Sequence, residues 1–176
     1  MGGEITVQSC LGEGSVFTVE LECEKAENQD KILNNGTCYG MGLSEDKMLA
    51  GCCILVAEDN AINAEITCGI LDMFGAKTVV KGDGEQAVHA FQAAKPGTFD
   101  AILMDIQMPK MNGYEATTVI RKMERPDAAS IPIIAMTANA FAEDVQLSLD
   151  CGMTAHVSKP VDVQTLKTVL RKTIKS

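Results

Sequence analysis

Short, mostly apolar runs recur through the last two thirds of the chain, and a polar side chain directly follows each of them. Runs of four or five apolar residues of this kind are typical of buried parallel strands. In open α/β sheets the ligand site lies beyond the carboxyl ends of such strands. The pattern therefore predicts one crevice that collects three acids, a hydroxyl and an amine, namely Glu58, Asp59, Asp105, Thr137 and Lys159.

Helical patterns alternate with these strands. Apolar residues recur every four positions from Ile62 to Phe74 and predict a first helix that Gly75 ends. A third helix is expected over about 114–123. The last helix places four apolar residues on one face, Val163, Leu166, Leu170 and Ile174. Five alternations predict an α/β fold, a doubly wound five-stranded parallel sheet with right-handed crossovers and five flanking helices.

The first 50 residues have a different pattern. Residues 1–23 alternate apolar and polar positions around Gly12-Glu13-Gly14-Ser15, which predicts a β-hairpin with a glycine-rich turn. An isolated hairpin is only marginally stable in water, so this one is expected to belong to something larger. Residues 24–50 are polar, acidic and without a period, and are interpreted as a linker. The domain proper is expected over residues 51–176.

Composition narrows the class of protein. The 176 residues are 46% hydrophobic and 22% charged, which suits one soluble domain plus a fragment. A net charge of −9 argues against a nucleic-acid-binding surface. No run approaches the ~20 apolar residues of a membrane span, and no signal peptide is evident, so we expect no membrane contact in this fragment and a cytoplasmic location.

The seven cysteines point to structure rather than to a metal or a disulfide framework. Their number is odd, no C-x-x-C pair occurs, and only two histidines are present. Reduced structural thiols in a cytosolic protein are the favoured interpretation. Neither histidine lies in a motif that supports cysteine catalysis.

The residues at the strand ends suit phosphoryl transfer to an aspartate. The transition state spreads negative charge over three oxygens, so the site must supply positive charge and positioning. Glu58, Asp59 and Asp105 offer oxygen ligands for Mg²⁺. The cation and the Lys159 ammonium would relieve the repulsion between the carboxylates, while the Thr137 hydroxyl can donate to a phosphoryl oxygen.

The motifs at these strand ends resemble those of a known family. They are Glu58-Asp59-Asn60, Asp105-Ile106-Gln107-Met108-Pro109 with Met111-Asn112-Gly113, Met136-Thr137-Ala138-Asn139-Ala140 and Ser158-Lys159-Pro160. In this order and spacing, residues 52–176 resemble a receiver domain of two-component signalling over its whole length. The run from Asp105 to Gly113 is most similar to receivers fused to hybrid sensor kinases.

This resemblance implies a fold and a function. The sheet would be flavodoxin-like, of strand order 2-1-3-4-5, with two helices on one face and three on the other. Asp105 would accept a phosphoryl group from a phosphohistidine, on either a kinase dimerisation domain or a histidine phosphotransfer domain. The backbone carbonyl of Gln107 would join the acids in binding Mg²⁺. A homodimer is also compatible with the family.

The resemblance also implies a switch. Phosphorylation would draw Thr137 inward and let His156 turn, changing the surface of the fourth helix, fifth strand and fifth helix. His156 stands at the family's rotating aromatic position, although a plain edge-strand histidine is an equal alternative. The Lys159–Pro160 bond is often cis in the family, which the sequence leaves open.

The hairpin has a resemblance of its own. Residues 1–5 and 12–17 are similar to the carboxyl-terminal end of a histidine-kinase ATP-binding domain. The nucleotide-binding boxes and the phosphorylated histidine of such kinases are absent from this sequence. The chain is therefore expected to have no kinase activity of its own, beyond catalysing phosphorylation and dephosphorylation of its own aspartate.

Two other functions compete with this interpretation. Haloacid-dehalogenase phosphatases also combine an Asp nucleophile, a Thr and a Lys on a doubly wound sheet. They carry D-x-D at the nucleophile, however, whereas Gln107 occupies that place here. A degenerate receiver that only binds partners is the third option, and the complete set of acid, Thr and Lys residues weighs against it.

Overall fold

The computed structural model describes residues 3–10, 12, 14–21, 47–138 and 142–174. Residues 24–46 of the expected linker and residues 139–141 lie outside the described residues. Within the described part of the chain, no helix combines the length and apolarity needed to cross a bilayer. In chain order the elements are β1 (Gly3–Cys10), β2 (Gly14–Leu21), β3 (Cys53–Ala57), α1 (Ala61–Met73), β4 (Lys77–Lys81), α2 (Gly84–Ala93), β5 (Ala101–Asp105), α3 (Gly113–Arg121), β6 (Ile133–Thr137), α4 (Ala142–Asp150), β7 (Ala155–Ser158) and α5 (Val163–Ile174).

The chain divides into two compact units. The larger one is built on a five-stranded sheet of order β4-β3-β5-β6-β7. Every neighbouring pair is parallel. Counted within this unit the order is 2-1-3-4-5, so the expected doubly wound topology is confirmed. The strand order reverses between β3 and β5, which lie side by side at the centre. Such a reversal opens a crevice at the carboxyl ends of the two strands.

The core lies on both faces of this sheet because successive strand residues point to opposite sides. Leu55 belongs to the cluster that contains Phe91 of α2 and residues of α3. Its neighbour Ile54 belongs to a second cluster that contains Leu71 of α1 and Leu166 of α5. Helices on both faces are thus confirmed, and the strands read as continuous apolar runs because neither face meets water.

Helix α1 forms where the four-residue repeat predicts it, but half of that repeat is exposed. Ile70 and Phe74 are buried, whereas Ile62 and Ile66 are 68% and 52% exposed. Each step of four residues turns about 40° beyond a full turn, so the stripe winds away from the sheet. The structure therefore leaves two isoleucines on the surface near the start of α1.

Side-chain caps start the helices close to the ends of the strands. Asn60 caps α1 by accepting hydrogen bonds from the amides of Ile62 and Asn63. Asn112 and Glu115 form a capping box that starts α3 at Gly113. Helix α3 ends at Arg121, so it begins and ends slightly earlier than its apolar pattern predicts. These caps set the helix starts just beyond the polar residues at the strand ends.

The smaller unit is the expected β-hairpin. Gly12 and Gly14 have φ angles of +86° and +105°, which glycine adopts without strain. The register pairs Ile5 with Val19 and Val7 with Phe17. These four residues share one face because they alternate along their strands, and all are more than half exposed. The hairpin is amphipathic, with an apolar face that nothing in its own two strands covers.

The expected linker is shorter at its carboxyl end than the sequence pattern indicates. Leu49 is 1% exposed and belongs to the core cluster on the α1 side of the sheet. Its amide donates a hydrogen bond of 3.0 Å to the carbonyl of Phe74. Residues 47–50 therefore pack as part of the larger unit, although a run as short as Met48-Leu49-Ala50 is too brief to show a helical or strand period.

Four cysteines of the larger unit, Cys52 among them, are partly buried. Cys53, Cys68 and Cys151 are free and only partly exposed. Burial raises the pKa of the Cys53 and Cys151 thiols. A raised pKa keeps a thiol protonated and poorly reactive, which agrees with a structural role for these two residues.

Candidate functional site

The carboxyl ends of β3, β5, β6 and β7 bring the predicted residues to one edge of the sheet. Asp105 is the last residue of β5, and Glu58 and Asp59 follow β3 directly. One carboxylate oxygen from each of the three acids lies within 4.8 Å of the other two. The sequence pattern therefore located the acid cluster correctly.

Lys159 reaches this cluster from the end of β7. Its Nζ lies 2.7 Å from Asp105 Oδ2 and 2.6 Å from Glu58 Oε2. The backbone amide of Lys159 donates to the Thr137 carbonyl at 2.7 Å, which ties the end of β7 to the end of β6. The Lys159–Pro160 peptide bond is cis. One ammonium thus serves two carboxylates.

Burial makes the charges of this cluster costly. Glu58 and Asp105 are only 3% and 4% exposed. Desolvation raises the pKa of the Asp105 carboxyl, and the bond from Lys159 only partly opposes this effect. Burial also lowers the pKa of the Lys159 ammonium, but its bonds to Asp105 and Glu58 outweigh burial and raise that pKa. The lysine is therefore protonated, and its single positive charge does not offset the negative charges of the acids around it.

The donor set fits a hard divalent cation. Three carboxylates against one ammonium leave two negative charges uncompensated within the cluster. All the ligands on offer are oxygens, which Mg²⁺ and Ca²⁺ prefer. Glu58 Oε2 is buried and has no hydrogen bond among the described residues, although it forms the ion pair with Lys159. Glu58, Asp59 and Asp105 could therefore hold such an ion.

Asn63 positions Glu58, a contact that sequence reasoning missed. The Asn63 side-chain amide donates to Glu58 Oε1 at 3.1 Å, and the Asn60 amide approaches the same oxygen at 3.4 Å. Asn63 lies in the first turn of α1, where a polar residue is ordinarily expected to face solvent. The spacing of Asn63 could have indicated this contact. Asn63 follows the cap residue Asn60 by three positions, so its side chain can face back toward the end of β3.

The remaining predicted residues lie in or next to β5, β6 and β7. The Gln107 amide donates to Asp105 Oδ1 at 3.2 Å, so the loop after β5 contacts the central carboxylate. Thr137 is 8% exposed at the end of β6, beside the strand that bears Asp105. His156 lies in β7, the strand at the edge of the sheet, with its side chain exposed.

Comparison with known proteins identifies the domain. A family model described as the response regulator receiver domain matches residues 54–171. Probable histidine kinase 2 of Oryza sativa subsp. japonica is 37% identical over 134 residues, which are 70% of this chain and 13% of that protein. The aerobic respiration control sensor protein ArcB of Escherichia coli is 32% identical over 173 residues, or 98% of this chain and 20% of ArcB. The chain thus spans a fifth or less of these relatives.

Solved structures agree with the sequence comparison. The receiver domain of sensor histidine kinase PA1611 from Pseudomonas aeruginosa is 37% identical, with a TM-score of 0.65, and the match covers 72% of this chain and 100% of that one. That structure has a magnesium ion coordinated in its active site cleft. The receiver domain of Saccharomyces cerevisiae Ssk1, solved with the phosphotransfer protein Ypd1, is 27% identical with a TM-score of 0.64 and covers 71% of this chain and 90% of its own. The chain belongs to the response regulator receiver domain family of two-component signalling.

Proposed function

We propose that Asp105 is the phosphoacceptor of a phosphorelay receiver. The observation that supports this assignment is the position of its carboxylate, at the end of the central strand and 2.7 Å from Lys159 Nζ. Asp105 is the only acid of the cluster that lies on β5, between Glu58 on one side and Lys159 on the other. A phosphoryl group attached to the Asp105 carboxylate would therefore lie close to the positive charge of Lys159.

The transfer would exchange one bond to phosphorus for another. An oxygen of Asp105 attacks phosphorus, the bond from phosphorus to the donor imidazole nitrogen breaks, and that nitrogen keeps the electron pair. Lys159 would neutralise charge on the transferred group, and Thr137 would donate its hydroxyl to a phosphoryl oxygen. Hydrolysis of the acyl phosphate by water would return Asp105 to its free state.

We propose Mg²⁺ as the resident cofactor of this site. Glu58, Asp59 and Asp105 would be its ligands, with the backbone carbonyl of Gln107 as a further oxygen. The ion, when bound, supplies the positive charge that the phosphoryl oxygens need. The fit depends on the two uncompensated charges of the cluster, and the magnesium in the PA1611 receiver supports the choice of metal.

The phosphoryl donor is proposed to be a phosphohistidine on a helical partner. A cleft beside the site is lined by Glu58, Lys159 and Ile66, so the exposed end of α1 is continuous with the acid cluster. Ile62 and Ile66 are apolar and mostly exposed there. A partner that packs on them would bring a histidine to Asp105, as the Ssk1 receiver meets a phosphotransfer protein in its complex.

The donor surface can be tested separately from the chemistry. Ile62→Glu with Ile66→Glu should slow transfer from phosphorylated Ypd1, used as the probe, about tenfold or more, because charge enters an apolar contact. Labelling by acetyl phosphate should slow much less than transfer from Ypd1, because this small donor does not need the apolar contact. Val119→Glu on α3 is the matched control, since it is 38% exposed on the other side of the sheet. Equal transfer rates in all three proteins would place the donor elsewhere.

We further propose the conformational switch that the family pattern implies. Inward movement of Thr137 upon phosphorylation would leave room for His156 to turn and would alter the face formed by α4, β7 and α5. The exposed position of His156 is compatible with such a turn. A phosphoryl group can bias the two states only by its different contacts with each. Unaltered amide shifts on this face in fully phosphorylated protein would refute the coupling.

The chain as a whole is proposed to belong to the cytoplasmic part of a hybrid histidine kinase. Residues 1–23 would end a kinase ATP-binding domain, 24–50 would form most of the linker, and 51–176 would hold the receiver. The similarity to ArcB over 98% of the chain supports this order. The chain would not phosphorylate itself from ATP.

Incubation with acetyl phosphate and Mg²⁺, followed by intact mass, tests the proposed function. The wild-type protein should gain the mass of one phosphoryl group, and Asp105→Asn should gain none. Asp72→Asn, an exposed acid of α1, is the matched control and should label normally. Labelling of Asp105→Asn would show the site is misassigned. Steady release of phosphate from small esters would favour the phosphatase alternative.

A further inference from the structure

The loop between β5 and α3 (residues 106–112) contains a strained turn. Lys110 has a φ of +64°, and it is the one non-glycine residue with positive φ among those the structure describes. The amide of Met111 donates to the Pro109 carbonyl at 2.8 Å, which closes a γ-turn around Lys110. Gamma turns with positive φ are rare and strained. Strain of this kind persists only where surrounding contacts hold it.

An ion pair with Asp83 holds this turn. Lys110 Nζ lies 2.7 Å from Asp83 Oδ2, although the lysine side chain is 61% exposed. Asp83 is 2% exposed at the N-cap of α2, where it also accepts hydrogen bonds from the Gln86 amide at 2.7 Å and the Gln86 side chain at 2.6 Å. The bond from Lys110 is the main reason that the pKa of Asp83 is lowered to about 2. The carboxylate that anchors the loop is therefore ionised and fixed in place.

The backbone of the loop is also joined to the starts of α2 and α3. The Gly84 amide donates to the Met111 carbonyl at 3.2 Å, and a Cβ at Gly84 would collide with that oxygen. The Gly113 amide donates to the Ile106 carbonyl at 3.0 Å, and a Cβ at Gly113 would collide with the Asp105 carbonyl. These contacts fix the carboxyl end of the loop, at Met111 and Gly113. The ion pair holds the loop at Lys110, between this fixed end and Gln107.

We propose that Asp83 and Lys110 are positioning residues for the phosphoacceptor. Their ion pair holds the turn at Lys110, and the turn keeps the Gln107 amide on Asp105 Oδ1 at 3.2 Å. This inference rests on the proposed function of Asp105. Neither residue touches the reacting atoms, and they act through the loop that follows the acceptor. Without the pair, the loop would relax and the Asp105 carboxylate would sample orientations that do not react.

Substitutions at Lys110 separate its charge from its backbone strain. Lys110→Met should lower the rate of labelling by acetyl phosphate with Mg²⁺ about fivefold to tenfold, since small misplacements of a reacting group are costly. Lys110→Arg should recover the rate to within about twofold, because it restores the ion pair. The labelling rate of Lys110→Gly should lie between those of Lys110→Met and Lys110→Arg, since glycine adopts positive φ without strain but has no charge. Lys122→Met, at an exposed lysine after α3, is the control and should label like wild type.

The partner residue tests whether the two act as a unit. Asp83→Asn keeps an N-cap oxygen for α2 but weakens the bond to Lys110. The double variant Asp83→Asn, Lys110→Met should label no more slowly than the slower single variant. Both single substitutions disrupt the same ion pair, so combining them removes nothing further. Additive losses would mean that the residues act independently and would overturn the proposal.

Hydrogen exchange supplies a measurement that does not depend on phosphorylation. The Gln107 amide should exchange about tenfold faster in Lys110→Met than in wild type, with the melting temperature nearly unchanged. If wild type labels and Lys110→Met labels equally fast with equal protection at Gln107, this inference fails while the proposed function stands. If rate losses merely follow losses of melting temperature and Gln107 protection is unchanged, the role is structural and the inference fails. If wild type accepts no phosphoryl group, the proposed function and this inference fail together.

Discussion

Asp83 and Asp105 form two ion pairs of equal length and opposite electrostatic character. Each is a buried aspartate with a lysine Nζ at 2.7 Å. Lys110 lowers the pKa of Asp83 to about 2, whereas desolvation raises the pKa of Asp105 despite the bond from Lys159. The distance between the charges is the same, so the difference must come from the other groups around each acid.

The balance of donors and acids explains the difference. Within the described residues no second carboxylate forms an ion pair with Lys110, and Asp83 accepts three hydrogen bonds, two from Gln86 and one from Lys110. Asp105 shares its lysine with Glu58, whose charge further raises the pKa of Asp105. A satisfied carboxylate anchors structure, while a carboxylate short of positive charge is poised to accept a cation or an electrophile. The comparison predicts that substitutions of the two aspartates themselves change stability in opposite directions.

The largest expected effect follows removal of the shared cation. Lys159→Met should lower the free energy of unfolding in Mg²⁺-free buffer by about 3 kcal/mol, because two buried carboxylates lose their partner. Added Mg²⁺ should restore part of the loss. Urea unfolding at neutral pH measures both effects, with Lys122→Met as the surface control. An unchanged unfolding midpoint would show that Lys159 is not needed to offset the acids.

Truncation of the satisfied carboxylate should cost less but still destabilise. Asp83→Ala removes a buried acceptor and a helix cap, so we expect a loss of about 2 kcal/mol in the free energy of unfolding. Asp83→Asn should lose less, because asparagine is also a good cap. The same urea measurement compares the two variants. A stability equal to wild type for Asp83→Ala would remove the distinction drawn between the two aspartates.

Neutralising the Asp105 carboxylate should stabilise the protein instead of destabilising it. Asp105→Asn should raise the free energy of unfolding by about 1 kcal/mol in Mg²⁺-free buffer, since it removes a desolvated charge and its repulsion with Glu58. The gain should shrink when Mg²⁺ stabilises the wild-type protein. Thermal unfolding with and without the metal supplies the check. Destabilisation in metal-free buffer would mean that the Lys159 bond outweighs the cost of burying Asp105.

The smallest effect is a dependence on acid pH. A folded-state pKa lowered below its unfolded value contributes stability above the unfolded pKa, and this contribution is lost as the pH falls through the folded pKa. For Asp83 the loss should occur between the ordinary value of 3.8 and about 2. We expect it to be on the order of 1 kcal/mol, because the partner lysine is largely solvated. Asp83→Asn should lack this share of the acid destabilisation, and identical pH profiles for both proteins would contradict the assignment.

The fold and the acid cluster were predictable because both follow from periodic or local patterns. Apolar runs that end in polar residues predicted the strands, and parallel strands bring their carboxyl ends to one edge of a sheet. The four-residue repeat of α1 predicted the helix but not its buried face, since Ile62 and Ile66 are exposed. Leu49 was interpreted as linker because the short apolar run of residues 48–50, which follows polar residues, has no period.

The sequence by itself determined the order of strands and helices, the hairpin with its glycine turn, and the set of residues that meet at the crevice. These features depend on residues close together in the chain or on the topology of a parallel sheet. Only the tertiary structure decided which groups share a charge. Lys159 lies 54 positions from Asp105, and Lys110 lies 27 positions from Asp83. Because electrostatic balance depends on distance, burial and the number of neighbouring donors, the same pair of residue types yields a poised acceptor at one site and a fixed anchor at the other.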